Sequence, residues 1–131
     1  MEAAALIDGI LDTSVLIDPS PDSIAPREGM FAISVLTLAE LHKGTVTARS
    51  TRIRAERTAR LGLIEQTYQA LPIDRRIAIK YGEIAARTNR LQRRPHVIDG
   101  LIAATAIVHG VPVYTRDDDY DLIPGVVVVR L

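Results

Sequence analysis

The sequence predicts an α/β fold with a mainly parallel central sheet flanked by helices, on three observations. Short β-branched apolar runs recur along the 131 residues, the pattern of strands buried on both faces. Between them lie stretches whose apolar residues repeat at helical spacing. Glycine, proline and cap residues mark where one pattern gives way to the other. The length fits a single domain spanning residues 1–131, and a chain of that size buries roughly two-thirds of its unfolded surface.

Taken in order, Gly9-Ile10-Leu11-Asp12 reads as a first buried strand, and Thr13-Ser14 start a helix through Val15, Leu16 and Ile17. Pro19, Pro21 and Pro26 make the next stretch a loop. Phe31 to Val35 is a second strand, and Thr37 to Lys43 a short helix stopped by Gly44. Thr51 to Ala70 is amphipathic through Ile53, Leu61, Ile64 and Tyr68, and Pro72 breaks it. Asp74 caps a helix that runs to about Leu91, with Ile77, Tyr81, Ile84 and Thr88 in register. After the Arg93-Arg94-Pro95 linker, Val97 to His109 forms a small-sided, apolar and therefore central helix ended by Gly110. Val111 to Thr115 is a third strand and Val126 to Val129 a fourth, with a polar Asp117–Asp121 loop between them.

The absence of cysteine excludes disulfides, thiolate catalysis and Cys-based metal sites. No stretch reaches the about 18 apolar residues needed to span a bilayer. The opening Met1-Glu2-Ala3 lacks the basic segment of a secretory signal. A cytoplasmic location without a membrane partner is the expectation. The net charge of zero conceals a division: Lys43 to Arg94 holds 13 Lys or Arg against four acids, and the flanks hold three against 12. A solvated helix surface accounts for such a basic middle, and so does a grip on a polyanion beside an acidic site.

Four dispersed acids stand out. Sites in parallel sheets form beyond the carboxyl ends of the strands. Asp12 and Asp117 are predicted there, and Glu40 and Asp99 in the first turns of helices, so the topology lets all four face one crevice. Each also has a structural reading. Asp12 would cap the helix at Thr13, Thr37-Leu38-Ala39-Glu40 matches a capping box, Asp99 suits a helix dipole, and Asp117 to Asp121 could be a solvated loop tip. Converging carboxylates repel one another until a proton or a cation relieves them. Hard oxygen donors suit Mg²⁺, with Mn²⁺ as a substitute, and such an ion supports displacement at phosphorus. His42, His96 and His109 lack metal-ligand spacing. Asp117-x-Asp119-x-Asp121 opens like a calcium loop, but Leu122 and Val128 stand where that loop needs Gly and Glu.

Four segments carry a resemblance. Ile10-Leu11-Asp12-Thr13-Ser14-Val15-Leu16-Ile17-Asp18 resembles the opening motif of PIN-domain ribonucleases, particularly VapC-type toxins of bacterial toxin–antitoxin pairs. Ser34-Val35-Leu36-Thr37-Leu38-Ala39-Glu40-Leu41 resembles their second motif, and the run from Arg94 to Ala106, containing Asp99, their third. Tyr114-Thr115-Arg116-Asp117-Asp118-Asp119-Tyr120-Asp121, followed by Ile123-Pro124-Gly125, resembles the last. The resemblance implies a PIN-like fold and a metal-dependent endoribonuclease leaving 5′-phosphate and 3′-hydroxyl ends. It implies Asp12, Glu40, Asp99 and Asp117 as its acids, Asp119 ahead of Asp118 and Asp121 as a further metal ligand, and Thr13, Ser14 and Arg116 in support. It also implies a homodimer and a VapB-like antitoxin, lying along a groove between Arg49–Tyr68 and Leu36–Lys43.

Two rivals remain at this level. A phospho-receiver module would want an acidic pair after the first strand and a Lys where Thr115-Arg116-Asp117 stands. A catalytically inactive PIN-like RNA-binding or scaffold protein would bind RNA in a salt-sensitive way without cleaving it.

Overall fold

A computed structural model of the chain describes residues 6–17 and 29–131. The predicted proline loop, Asp18 and Arg27 lie outside the described residues. The described sheet has five strands, all pairs parallel: β1 (Gly9–Leu11), β2 (Phe31–Ser34), β3 (Gln69–Leu71), β4 (Val113–Thr115) and β5 (Val128–Arg130). Their order is β3-β2-β1-β4-β5. The chain therefore builds outward from β1 in one direction, then crosses to β1's other side for β4, making a topological switch point between β1 and β4. This order is not the 2-1-3-4-5 of receiver modules, which removes that rival.

Side chains alternate across each strand, and the two faces bury different sets. Ile10, Ala32, Leu71 and Val113 turn to a cluster with Ile77 and Ile84 of α4 (Arg75–Thr88) and Ile102, Ala103 and Ala106 of α5 (Val97–His109). Leu11 and Ile33 turn to the other cluster, with Val15 and Leu16 of α1 (Thr13–Leu16), Leu38 and Leu41 of α2 (Val35–Val46) and Ile64 of α3 (Thr51–Thr67). Two helical layers thus enclose the sheet. Asp74 caps α4 through Ile77 N–H at 3.0 Å, and Gly110 ends α5 at φ +69°, a left-handed position that glycine takes without strain. Gly100 lets α5 approach α4 closely, since a Cβ there would stand 2.8 Å from Tyr81 Cε1. Among the described residues no helix is long and apolar enough to cross a membrane.

Several predicted boundaries move. Gln69 and Ala70, expected to finish a helix, instead belong with Leu71 to a strand that pairs in parallel with β2 after the helix ends at Thr67. The helix expected at Thr37 begins at Val35, because Ser34 Oγ accepts the Leu36 amide at 3.1 Å. It also runs through Gly44 to Val46, with Arg57 Nη1 donating to the Gly44 carbonyl at 2.6 Å. The expected Asp117–Asp121 loop contains a 3-10 turn, Asp118–Leu122, capped by Asp117. The α4 helix stops at Thr88, and the last strand lies two residues later than expected at its start.

Candidate metal centre

Asp12 follows β1 and Asp117 follows β4, so both stand at the switch point. Asp12 is buried, 4% exposed, and both oxygens of its carboxylate accept hydrogen bonds. Ser14 Oγ (2.7 Å) and Thr115 Oγ1 (2.9 Å) donate to Oδ2, with the Ser14 amide more distant at 3.4 Å. The Tyr120 hydroxyl donates to Oδ1 at 2.9 Å. The capping reading of Asp12 holds in part, since it does sit at the N-cap of α1, but its amide bond is the longest of the four. The two hydroxyls are held in turn by the loop beyond β4: the Arg116 amide donates to Ser14 Oγ at 3.0 Å and the Asp117 amide to Thr115 Oγ1 at 3.0 Å.

Glu40 is not where the sequence placed it. With α2 starting at Val35, Glu40 falls in the second turn, too far along to reach an N-cap amide, and the capping-box reading fails. Its Oε1 instead accepts from Thr13 Oγ1 at 2.6 Å, with Thr37 Oγ1 3.3 Å from the same hydroxyl. Asp99 lies in the first turn of α5, as expected.

Candidate ligand oxygens of Asp99, Asp117 and Asp119 all lie within 4.8 Å of one another. They line a cleft of about 570 Å³ together with Glu40, His96, Val97 and Ile98. Asp12 is not in that trio; it is buried, and its charge acts on Asp99. Asp99 is pushed up from 3.8 to about 6 by burial first, then by the charges of Asp12, Asp117 and Asp119. Arg93 is paired with Asp119 at the edge of this cluster, yet burial and the acids still raise Asp99. Three hard carboxylate donors at this separation, one already perturbed by its neighbours, fit a divalent cation.

Asp118 and Asp121 are engaged elsewhere. Arg130 Nη1 pairs with Asp118, and Nη2 reaches both oxygens of Asp121 at 2.9 and 2.8 Å. Arg93, from the linker before α5, places Nη2 2.8 Å from Asp119 Oδ1. Arg116 is exposed. Tyr120, Thr115 and Arg93 were not singled out from sequence. The aromatic after the acidic run and the hydroxyl before it were the available signals for the first two; Arg93 was one of many arginines.

Residues 9–126 match the PIN domain family. The chain belongs to that family. Among curated proteins it is 32% identical over 127 residues to ribonuclease VapC4 of Mycobacterium tuberculosis, covering 93% of this chain and 95% of that one. It is 34% identical over 128 residues to ribonuclease VapC5 of the same organism, covering 94% and 93%. A solved structure of VapBC-5, a member of the VapBC family of toxin–antitoxin systems from M. tuberculosis, matches with a TM-score of 0.82 at 34% identity, covering 96% of this chain and all of that one. The acids of this PIN domain come from four segments that the fold brings to one end of the sheet.

Proposed function

We propose that this PIN domain is a Mg²⁺-dependent endoribonuclease acting as the toxin of a toxin–antitoxin pair. The observation that carries the reading is the convergence of Asp99, Asp117 and Asp119 at the β1–β4 switch point, with Glu40 on the same cleft. The ribonuclease names of the VapC4 and VapC5 relatives support it. Asp99, Asp117 and Asp119 would hold Mg²⁺ or Mn²⁺, with the buried Asp12 as a further ligand. When bound, the ion supplies Lewis acidity toward a phosphodiester and toward water.

The chain's own groups do the rest. Thr13 occupies Glu40 Oε1 and fixes the carboxylate, leaving Oε2 to take a proton from the attacking water. Water adds at phosphorus, the bond from phosphorus to the 3′-oxygen breaks, and that oxygen leaves as a hydroxyl after taking a proton from solvent. Arg116, Arg93 and arginines of the basic middle hold flanking phosphates.

A second cavity, about 410 Å³, shares Glu40 with the acidic cleft, is lined beside it by Thr13, and continues between α2 and α3. Ile17, Leu41, Leu61 and Ile64 give it apolar walls, and Arg57 and Arg60 give it charge. This groove supports a VapB-like antitoxin whose segment lies along it and ends over the acids. The VapBC-5 complex among the structural relatives favours the same partner. Self-association as a homodimer belongs to the proposal.

Incubating purified protein with structured and unstructured RNAs, in Mg²⁺, Mn²⁺ or chelator, tests the activity. The expected result is cleavage that requires the ion and is lost in Asp12→Asn. Equal cleavage by wild type and Asp12→Asn would assign the activity to a contaminant. Salt-sensitive RNA binding without cleavage would favour the inactive RNA-binding reading.

A further inference from the structure

Tyr120 is completely buried, packed in the cluster with Ile102 and Ile123. For packing alone phenylalanine would serve, because a buried hydroxyl costs free energy unless it is hydrogen-bonded. The hydroxyl reaches across 108 positions of sequence to one acceptor, Asp12 Oδ1, at 2.9 Å.

An ionised carboxylate offers about four lone-pair positions, two on each oxygen. Oδ2 of Asp12 has both of its short contacts filled, by Ser14 Oγ and Thr115 Oγ1. Each of these hydroxyls donates to Asp12 and accepts a backbone N–H, from Arg116 and Asp117, and the two hydroxyl oxygens stand 3.2 Å apart. Oδ1 has one partner, Tyr120, and therefore one lone-pair position left. Without Tyr120 the carboxylate would be pinned at one oxygen only, and could turn about the bond to its Cβ.

We propose that Tyr120 is a positioning residue for the cation site: its hydroxyl locks the Asp12 carboxylate so that a single Oδ1 lone pair is presented toward Asp99, Asp117 and Asp119. Ser14 and Thr115 complete the lock from the other oxygen and tie it to the loop that carries Asp117. This inference rests on the metal-dependent reading above. Groups that orient metal ligands typically change affinity by about 10–100-fold when removed.

The test is calorimetric titration of Mn²⁺ into wild type and Tyr120→Phe, with thermal unfolding and RNA cleavage followed in parallel. Tyr120→Phe is expected to unfold cooperatively, to bind Mn²⁺ about tenfold more weakly, and to need proportionally more Mg²⁺ for half-maximal cleavage. Its rate at saturating Mg²⁺ should return most of the way to wild type, a split that a general packing defect would not produce. Mn²⁺ affinity within twofold of wild type would reduce Tyr120 to a core ring and overturn the inference alone. Absence of Mn²⁺ binding to wild type would overturn the metal-dependent reading and the inference with it. Should Tyr120→Phe fail to fold, 3-fluorotyrosine placed at position 120 keeps both ring and hydroxyl. Its ¹⁹F resonance is expected to shift on Mg²⁺ titration with the midpoint of ion binding, and an unmoved resonance at saturation would overturn the inference.

Discussion

Thr13 Oγ1 donates to Glu40 Oε1 at 2.6 Å, joining the first residue of α1 to the second turn of α2 across 27 positions. Thr13 adjoins Asp12, and Glu40 faces the cleft of Asp99, Asp117 and Asp119. One hydroxyl therefore sets the spacing between the deep acid and the shallow one. It also settles why Glu40 is mid-helix: its partner is another element, not the start of its own.

A charge-neutral change at Glu40 separates its two roles. Glu40→Gln keeps an oxygen that accepts from Thr13, so the variant is expected to unfold within about 1 kcal/mol of wild type in urea. Loss of a proton acceptor costs roughly 100-fold or more in rate, so initial RNA cleavage should fall by at least about that factor. Wild-type cleavage by this variant would remove Glu40 from the reaction.

Asp99 makes the metal-free protein pH-sensitive in an unusual direction. Its folded value of about 6 exceeds the ordinary 3.8, so the native state holds the proton more tightly than the unfolded chain. Its contribution is thus most favourable below about 3.8, declines as pH rises through the window to about 6, and is least favourable above it. In EDTA, Asp99→Asn should therefore be more stable than wild type at pH 7.5, with the gap closing toward pH 4. Thermal melts of both proteins across that range check this, and a gap independent of pH would contradict it. Millimolar Mg²⁺ should raise the wild-type midpoint at pH 7.5 more than the variant's, because an ion that binds the native state stabilises it by mass action.

The parts of this fold legible in sequence are those where a local pattern and its neighbours agree. Gly9–Leu11 and Val113–Thr115 are short, apolar and followed at once by polar residues, so their carboxyl ends and the acids there could be placed. Strand β3 was hidden because Tyr68 continues the helical apolar spacing of α3, and Gln69 is exposed, leaving little buried surface to mark a strand. The start of α2 was misplaced because Ser34 and Thr37 are both good caps, and β-branched Val35 extends the strand pattern past the true boundary. Asp12, Asp99 and Asp117 could be found as acids at element ends. That Tyr120 and Thr115 would both close on Asp12 could not, since those contacts depend on the β1–β4 pairing, formed across about a hundred residues.

Arg93 is expected to influence ion and RNA binding with opposite signs. Its guanidinium lies 2.8 Å from Asp119 Oδ1 and is 73% exposed, so the pair contributes little to stability. It does place a positive charge against one of the three acids. Arg93→Gln should bind Mn²⁺ a few-fold more tightly, because an opposing cation is gone. The same variant should bind RNA more weakly, with the slope of log affinity against log salt reduced by about one. Calorimetry and filter binding at several salt concentrations measure the two effects. Weaker Mn²⁺ binding together with an unchanged salt slope would leave Arg93 as an ordinary surface ion pair.

The groove between α2 and α3 can be tested without touching the acids. Ile17 lines it and is 61% exposed, large for an isoleucine with no role at the surface. An antitoxin segment seated there would bury that side chain, worth roughly 1.5–3 kcal/mol, or about 10–100-fold in affinity. Ile17→Asp replaces the apolar contact with a charge, so inhibition by a VapB-like antitoxin should weaken by at least that factor. Because Ile17 is exposed and is not one of the cleft acids, Mg²⁺-dependent cleavage by the uninhibited variant should stay within about threefold of wild type. Titrating antitoxin against a fixed amount of each nuclease gives both numbers. Full inhibition of Ile17→Asp at the wild-type antitoxin concentration would move the antitoxin's contact off this groove.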